Sequence, residues 1–328
     1  MKFSVIIIAH KRTEFLNYAI ESITMQNGAY PLEVIIVRNS NIDLGVVSEN
    51  NHNIKIIDLV SIRETLAGKL IEGIKLSHGE YLMFLEDDDL FQPNKILQIE
   101  RILLYHPFLD YIHNSQYFFN VNGEMRDYYS QIKKDLVLPG SNKQAKMPIL
   151  KNLGFNLSSV TVSKKFSLVI AREIPPNLNF SVDLFIFLLA FSIPDVNLLF
   201  TRDKLTKFRI HESSHITTVN FRNFVNAEAK ISLNYFDELG IIRKRFEGFS
   251  EISNLIDDLR NYWEVLELIF GNKNIESGKK ISMLILYTRN FYANKTKFIT
   301  FILYLSFLVC QPLSSYLFYA YRILRTSF

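Results

Sequence analysis

A run of four acidic residues, Glu86 to Asp89, directly follows a short apolar segment in Tyr81–Asn94, YLMFLEDDDLFQPN. A continuous apolar run of this length that ends at a breaker such as Gln92-Pro93 predicts a buried strand, with the carboxylates at its carboxyl end. Ligands bind at that edge of open α/β sheets. The stretch therefore predicts a ligand site built on carboxylates.

Four consecutive carboxylates repel one another, and a divalent cation removes that cost. Oxygen ligands without clustered Cys or His favour Mg²⁺ or Mn²⁺ over zinc, and such ions keep open positions that substrate phosphates can occupy. The alternative is a solvated acidic loop or a helix N-terminus, in which Asp89 caps a helix that begins near Pro93.

The elements that position these carboxylates follow from hydrophobic periodicity. Strands alternate with helices over the first ~100 residues, which predicts a parallel sheet with helices on both faces. A further segment, Ser181–Phe191, is apolar at nearly every position except Asp183 and predicts a helix buried on most sides. The carboxylate of Asp183 could cap this helix or interact favourably with the helix dipole. The predicted strands are Phe3–Ala9, Glu33–Val37, Ile54–Leu59, Tyr111–Asn120, Ser158–Val162, Leu198–Arg202 and Leu205–Arg209, and the predicted helices are 14–27, Leu66–Leu76, Pro93–Tyr105 and Lys164–Ala171.

Composition narrows the class of protein. Of the 328 residues, 48% are hydrophobic and 21% charged, so most of the chain is expected to fold. The net charge of +4 gives no case for nucleic-acid binding. The single cysteine, Cys310, excludes an intramolecular disulfide and a cysteine-based zinc site. Neither a dinucleotide-binding glycine motif nor a P-loop occurs, so a bound nucleotide would depend on a metal for phosphate recognition.

The C-terminal part has a different character. Phe298–Tyr321 contains no charged residue, and eight basic residues but one acid, Glu276, lie between Gly271 and Phe328. The length is sufficient for a membrane span, but Gln311-Pro312 interrupts it, so an interfacial helix pair on an anionic surface is an equal alternative. A buried helix or an oligomer contact is the remaining one. We expect membrane association of this tail, on the cytoplasmic face.

The ordered features resemble family 2 glycosyltransferases, which are inverting enzymes of the GT-A fold. The segments FSVIIIAHKRTEFLNYAIESITMQ, EVIIVRNS, SHGEYLMFLEDDDLFQPNKI, SVDLFIFLLAF and KFRIHESS carry the resemblance, which covers roughly residues 1 to 215. The resemblance implies an α/β fold with a mostly parallel twisted sheet flanked by helices. We expect a catalytic domain at 1–215, a helical extension at 216–280 and the membrane-associating tail at 281–328.

The resemblance also implies roles for individual residues. Asp88 would hold Mn²⁺ or Mg²⁺, with Asp89 and His211 as further candidate ligands. Asp183 would be the general base that deprotonates an acceptor hydroxyl. The nucleotide-sugar contacts implied by the resemblance or by position are Ala9, His10, Arg12, Asn39, Lys69 and Asp87, of which Asp87 would face the ribose. For Lys69, a solvated helix lysine is the alternative.

Three positions depart from the family pattern. Ala9-His10-Lys11-Arg12 replaces the commoner Pro-Thr-Tyr-Asn-Arg, Arg38-Asn39-Ser40 replaces a base-binding Asp, and Val182 replaces a Glu. The implied activity is transfer of a sugar from a nucleoside-diphosphate sugar to a hydroxyl, on a lipid-linked or cell-surface glycan. The alternative is a non-catalytic, membrane-attached nucleotide-sugar-binding protein of the same fold.

Overall fold

The computed structural model describes most of the chain, in two compact units. They comprise residues 1–209 and 210–328. The second unit includes both the predicted helical extension and the predicted tail. The described residues are 2–9, 13–27, 31–40, 42, 53–120, 122–127, 132–140, 143, 146–147, 154–210, 221–271, 283 and 295–326.

The first unit is built on one mixed sheet. Its strands are β1 (Phe3–Ile8), β2 (Leu32–Arg38), β3 (Ile54–Val60), β4 (Tyr81–Glu86), β5 (Leu90–Phe91), β6 (Tyr111–Asn120), β7 (Met125–Asp127), β8 (Leu136–Leu138), β9 (Val160–Ser163) and β10 (Leu198–Ile210). Its helices are α1 (Thr13–Thr24), α2 (Leu66–Leu76), α3 (Lys95–Tyr105), α4 (Lys164–Glu173) and α5 (Val182–Ser192), and a 3₁₀ turn occupies Leu157–Ser159.

Strand pairing divides the sheet into two halves. The order is β3-β2-β1-β4-β9-β6-β10-β5, with β7 beside β6 and β8 beside β10. The pairs among β3, β2, β1 and β4 are parallel. From β4 onward the described pairs are antiparallel. The α/β class is confirmed, while the parallel part of the sheet is limited to four strands.

Helices cover both faces of the parallel half, because successive residues of each buried strand face opposite sides. Val5 packs in a cluster with Leu16 of α1 and Ile99 of α3. On the other face, Ile6 meets Gly73 of α2, where an added β-carbon would lie 2.5 Å from Ile6 Cγ2. The glycine thus permits the close approach of α2 to the sheet.

One predicted break between two strands is absent. The predicted strands Leu198–Arg202 and Leu205–Arg209 form the single strand β10, Leu198–Ile210. The charged residues at the predicted break do not end the strand: Arg202 and Asp203 are exposed to solvent, and the chain continues from pairing with β8 to pairing with β5. This continuous strand brings residue 209 to the end of β4.

The second unit consists of helices among the described residues. These are α6 (Phe221–Arg245), α7 (Ser250–Phe270), α8 (Lys295–Val309) and α9 (Gln311–Thr326). Phe224, Phe270, Tyr304 and Phe318 share one buried cluster, so α8 and α9 pack with α6 and α7. The uncharged stretch Phe298–Tyr321 is divided between two helices at Cys310, and no described helix has both the length and the apolar character of a membrane-crossing segment.

A buried carboxylate lies at the amino ends of the parallel strands. Glu33 Oε2 accepts hydrogen bonds from Ser4 Oγ at 2.7 Å and His78 N at 2.8 Å. Burial alone raises the pKa of Glu33, but hydrogen bonds from Ser4 and His78 and the charge of His78 outweigh it and lower the pKa below the ordinary 4.5.

Replacing this carboxylate predicts a pH-dependent loss of stability. We expect Glu33→Gln to lower the free energy of unfolding at pH 7 by about 1–3 kcal/mol, because its donors lose a charged acceptor. A lowered folded-state pKa contributes stability above the unfolded pKa, and this contribution is lost as the pH falls. In urea unfolding, the difference in free energy of unfolding between Glu33→Gln and wild type should narrow as the pH falls below about 4.5. Equal stabilities at pH 7, or a gap that widens in acid, would contradict this; Glu100→Gln, at a partly exposed pair with Lys2, is the control.

Candidate active site

The predicted nucleotide-binding positions that the structure describes share one edge of the sheet. In the strand register, Ile8 lies beside Val37 on one side and beside Glu86 on the other. Ala9, Asn39 and Asp87 follow these strand ends directly or one residue later. The carboxyl ends of β1, β2 and β4 therefore bring three separate segments to the same place.

The acidic turn, Asp87–Asp89, lies between β4 and β5, and its three side chains are 3%, 7% and 0% exposed, respectively. Arg209 at the end of β10 is connected to this turn. Its backbone N donates to Asp89 Oδ1 at 3.0 Å, and its Nε donates to the backbone O of Asp88 at 2.8 Å. These bonds tie the acidic turn to β10.

The Arg209 guanidinium is also held by aromatic rings. It lies 4.4 Å from the ring centroids of both Phe15 and Phe119. Burial lowers the pKa of Arg209, and the charges of Asp88 and Asp89 oppose that shift. The side chain thus supplies positive charge against a concentration of carboxylates. Sequence reasoning assigned Arg209 no role; its one signal was its position in KFRIHESS.

A second buried cation, Lys95, supports the same region from α3. Its Nζ donates to Ser158 O at 2.6 Å and Thr206 Oγ1 at 3.0 Å, and it lies 3.9 Å from the Phe91 ring centroid. Burial moves the pKa of Lys95 well below its usual value, and the charge of Asp89 opposes this. Lys95 was also missed as a functional residue, although it belongs to the motif that follows the acidic turn.

Asp183 lies in the first turn of α5 and is partly exposed. Its Oδ2 accepts a hydrogen bond from Asn156 N at 2.9 Å, and its Oδ1 accepts one from Leu184 N at 2.7 Å. The contact with Leu184 fits the predicted role at a helix N-terminus. A carboxylate that accepts these hydrogen bonds can still accept a proton, so the role at the helix N-terminus and the role as general base are compatible.

The 3₁₀ turn and the residue before it, Asn156, connect the acidic turn to the helix of Asp183. Ser158 Oγ accepts a hydrogen bond from Glu86 N at 3.0 Å, directly before the acidic turn. Two residues earlier, Asn156 N contacts Asp183. The structure therefore links the end of β4 to the start of α5 through Asn156 and Ser158, neither of which was singled out from the sequence.

The other predicted nucleotide contacts have internal partners. Lys69 is fully buried and its Nζ donates to Ala9 O at 2.9 Å, so the alternative of a solvated helix lysine is wrong. Its ammonium fixes the backbone at the end of β1. Asn39 Nδ2 donates to Arg63 O at 3.0 Å, which links the segments after β2 and β3. Three predicted site residues, His10, Arg12 and His211, lie outside the described residues.

The acidic turn offers a donor set of carboxylate oxygens that suits a hard divalent ion. Within the described part of the chain, no group of three or more His, Cys, Asp or Glu side chains could hold a metal ion by itself. An ion held by this turn would take its remaining ligands from a substrate or from water, as Mg²⁺ commonly does.

The fold and the position of the carboxylates define the class of protein. An α/β sheet flanked by helices, with carboxylates at the carboxyl edge of its parallel strands, is of the GT-A type. Residues 4–166 match the family model described as glycosyl transferase family 2. Through this domain the protein belongs to that family and is a glycosyltransferase.

Solved structures of low sequence identity share the fold. The crystal structure of S. aureus TarS 1-349 in complex with UDP-GlcNAc has a TM-score of 0.55 and 15% identity, covering 94% of this chain and 91% of that chain. For the complex with UDP the values are 0.52 and 13%, with the same coverage. No curated protein matches this chain significantly.

Proposed function

We propose that the protein is a metal-dependent inverting transferase that moves a sugar from a nucleoside-diphosphate sugar to an acceptor hydroxyl. The observation that carries the proposal is the acidic turn at the carboxyl edge of β4, in register with the ends of β1 and β2. UDP-GlcNAc is the first donor to test and UDP the first nucleotide, because the similar TarS structures contain them. The Arg38 guanidinium forms an ion pair with Asp58 at 2.7 Å. We therefore assign contact with the nucleotide base to Asn39 and not to Arg38.

In the proposed reaction, Asp183 accepts the proton of the acceptor hydroxyl. The acceptor oxygen attacks the anomeric carbon from the face opposite the leaving group, and the bond between that carbon and the diphosphate oxygen breaks. Asp87 contacts the ribose, and Asp88 holds the ion, with Asp89 and His211 as further candidate ligands. A bound Mn²⁺ or Mg²⁺ supplies positive charge to the departing nucleoside diphosphate.

The experiment that tests this proposal screens nucleotides and nucleotide sugars by two measurements, binding and turnover. Thermal shifts with nucleoside diphosphates, each with and without Mn²⁺, identify the base and metal, and hydrolysis or transfer of the matching nucleotide sugar reports turnover. We expect stabilisation by one base in the presence of Mn²⁺ and turnover that stops in EDTA. Turnover that persists in EDTA would overturn the metal assignment, and binding without turnover would overturn transferase activity on that donor.

We further propose that the C-terminal helices attach the protein to the cytoplasmic face of a membrane, where a lipid-linked or nascent surface glycan would be the acceptor. An exposed apolar surface on α8 and α9 supports this. The sequence adds Lys295 and Lys297 at the beginning of α8 and Arg322 and Arg325 near the end of α9, and basic residues favour anionic lipids. The residues of this surface, called the α8–α9 surface, are Phe298, Ile302, Val309, Leu313, Tyr316 and Leu317, each at least 47% exposed.

The membrane proposal predicts loss of binding on adding charge to the α8–α9 surface. We expect Val309→Asp with Leu313→Asp to reduce co-sedimentation with vesicles containing anionic lipid by roughly tenfold or more, because apolar side chains no longer insert. Both residues are exposed, so the fold should persist. Leu168→Asp, at an equally exposed leucine of α4, is the matched control. Unchanged sedimentation of the double variant would refute the assignment.

A further inference from the structure

Asn156 has an unusual backbone for its residue type. Among the described residues it is the one non-glycine residue with positive φ, at +80°, and ψ is 106°. L-residues other than glycine rarely adopt such φ values, although asparagine is more tolerant than most. Strained backbone of this kind persists where the surroundings over-determine it, often at functional sites.

Side-chain contacts hold this conformation. Asn156 is buried; its Oδ1 accepts a hydrogen bond from Ser158 N at 2.8 Å, and its Nδ2 donates to Gln116 Oε1 at 2.7 Å. Ser159 Oγ donates to the same Gln116 oxygen at 2.9 Å. The side chain therefore closes the 3₁₀ turn on one side and anchors it to β6 on the other.

The consequence of this geometry is the direction of one N–H group. With the backbone so held, Asn156 N points at Asp183 Oδ2, 2.9 Å away, although the two residues are 27 positions apart. The same short turn holds the end of β4 through Ser158 Oγ and Glu86 N. Lys95 and Thr206 both donate to Ser158 O, at 2.6 Å and 3.1 Å, which fixes the turn from β10 and α3.

We propose that Asn156 is a positioning residue for the transfer reaction: its strained backbone orients the carboxylate of Asp183, and the turn that it begins fixes that carboxylate relative to the acidic turn. This inference rests on the proposed function, in which Asp183 is the base. Asn156 acts through Asp183 and makes no contact with the donor in this scheme. It therefore affects kcat and leaves the KM for the donor unchanged.

The test compares two substitutions of Asn156. Alanine removes the side-chain contacts and disfavours positive φ, whereas glycine removes the contacts but permits the same φ. We expect Asn156→Ala to lower kcat at least about tenfold, with the KM for the donor within about twofold of wild type. We expect Asn156→Gly to retain kcat within about threefold. A folded glycine variant that loses as much kcat as the alanine variant, or more than about tenfold, overturns the proposal.

A double-mutant cycle separates positioning from general support of the fold. If Asn156 acts through Asp183, then Asn156→Ala should cause no further loss of kcat once Asp183→Ala is present. Losses that multiply independently overturn the proposal. Should the alanine variant not fold, the comparison of Asn156→Gly with wild type decides it alone.

Asn197 provides a matched control. Its backbone N donates to Asp110 Oδ2 at 3.2 Å, a carboxylate that has no assigned chemistry. Its side chain, like that of Asn156, both accepts and donates: Oδ1 accepts from Gly140 N and Nδ2 donates to Phe108 O. We expect Asn197→Ala to lower the melting temperature without a change in kcat. A wild-type chain without transfer activity overturns the proposed function and this inference with it. An inactive Asp183→Ala variant beside a fully active Asn156→Ala variant overturns the inference alone.

Discussion

Asp88→Ala is expected to reduce metal-dependent sugar transfer by at least roughly 1000-fold, because the departing diphosphate loses its positive counter-charge. The fold should remain intact, since the hydrogen bond from Arg209 Nε goes to the backbone O of Asp88, which the substitution keeps. Steady-state transfer with saturating Mn²⁺ measures the loss. The stabilisation by nucleoside diphosphate that depends on Mn²⁺ should disappear in the same variant, while the melting temperature without ligand changes little.

Asp127→Ala is the matched control for this substitution. Asp127 is a carboxylate of β7 that is 68% exposed and pairs with Lys204, away from the acidic turn in the strand order. It should retain wild-type transfer, because exposed pairs contribute little. Normal transfer by the Asp88 variant, with unchanged dependence on Mn²⁺, would remove Asp88 from the metal site.

Asp183→Asn is expected to lower kcat about 100- to 10,000-fold, the usual contribution of a general base. The amide oxygen can still accept one of the two backbone hydrogen bonds from Asn156 and Leu184, so α5 should keep its position. What is lost is the capacity to take the acceptor proton. Transfer kinetics with a fixed acceptor, together with nucleotide-dependent thermal shifts, separate this loss from a loss of donor binding.

For this residue the control is Asp195→Asn, an exposed carboxylate in the segment after α5. It changes the same chemical group without touching the first turn of the helix. A kcat for Asp183→Asn within about tenfold of wild type would argue against its role as base. Equal losses of nucleotide binding and turnover would indicate a structural role instead.

The parallel half of the sheet could be predicted because each of its elements carries its own signal. Helix α2 was predicted as Leu66–Leu76 and has these bounds, since its end groups are local: Thr65 Oγ1 accepts from Gly68 N at 3.1 Å. The antiparallel half gave weaker signals. Strands β5 and β8 have two and three residues, too few for a period to show, and their pairing depends on β10 far along the chain.

The candidate site divides in the same way. The acidic turn was visible because a buried strand runs directly into it, and Asp183 because it is the one charge in an apolar helix. Arg209, Lys95 and Asn156 could not be recognised from the sequence, because basic and amide residues are mostly exposed in proteins. Only the tertiary structure reveals that these three are buried. Their hydrogen-bond partners on other elements lie 27 to 121 residues away in sequence.

Because β10 comes late in the sequence of the first unit, the contacts that it makes with the acidic turn form late in synthesis. The cation that compensates the acidic turn, Arg209, is made 121 residues after Asp88. Strands β1 to β4 can pair while the chain is still growing, since domains form from the N-terminus as they are made. Until β10 is complete, the nascent chain carries its carboxylates without that guanidinium. The segment predicted to bind the donor is therefore among the last parts of the first unit to acquire its final form.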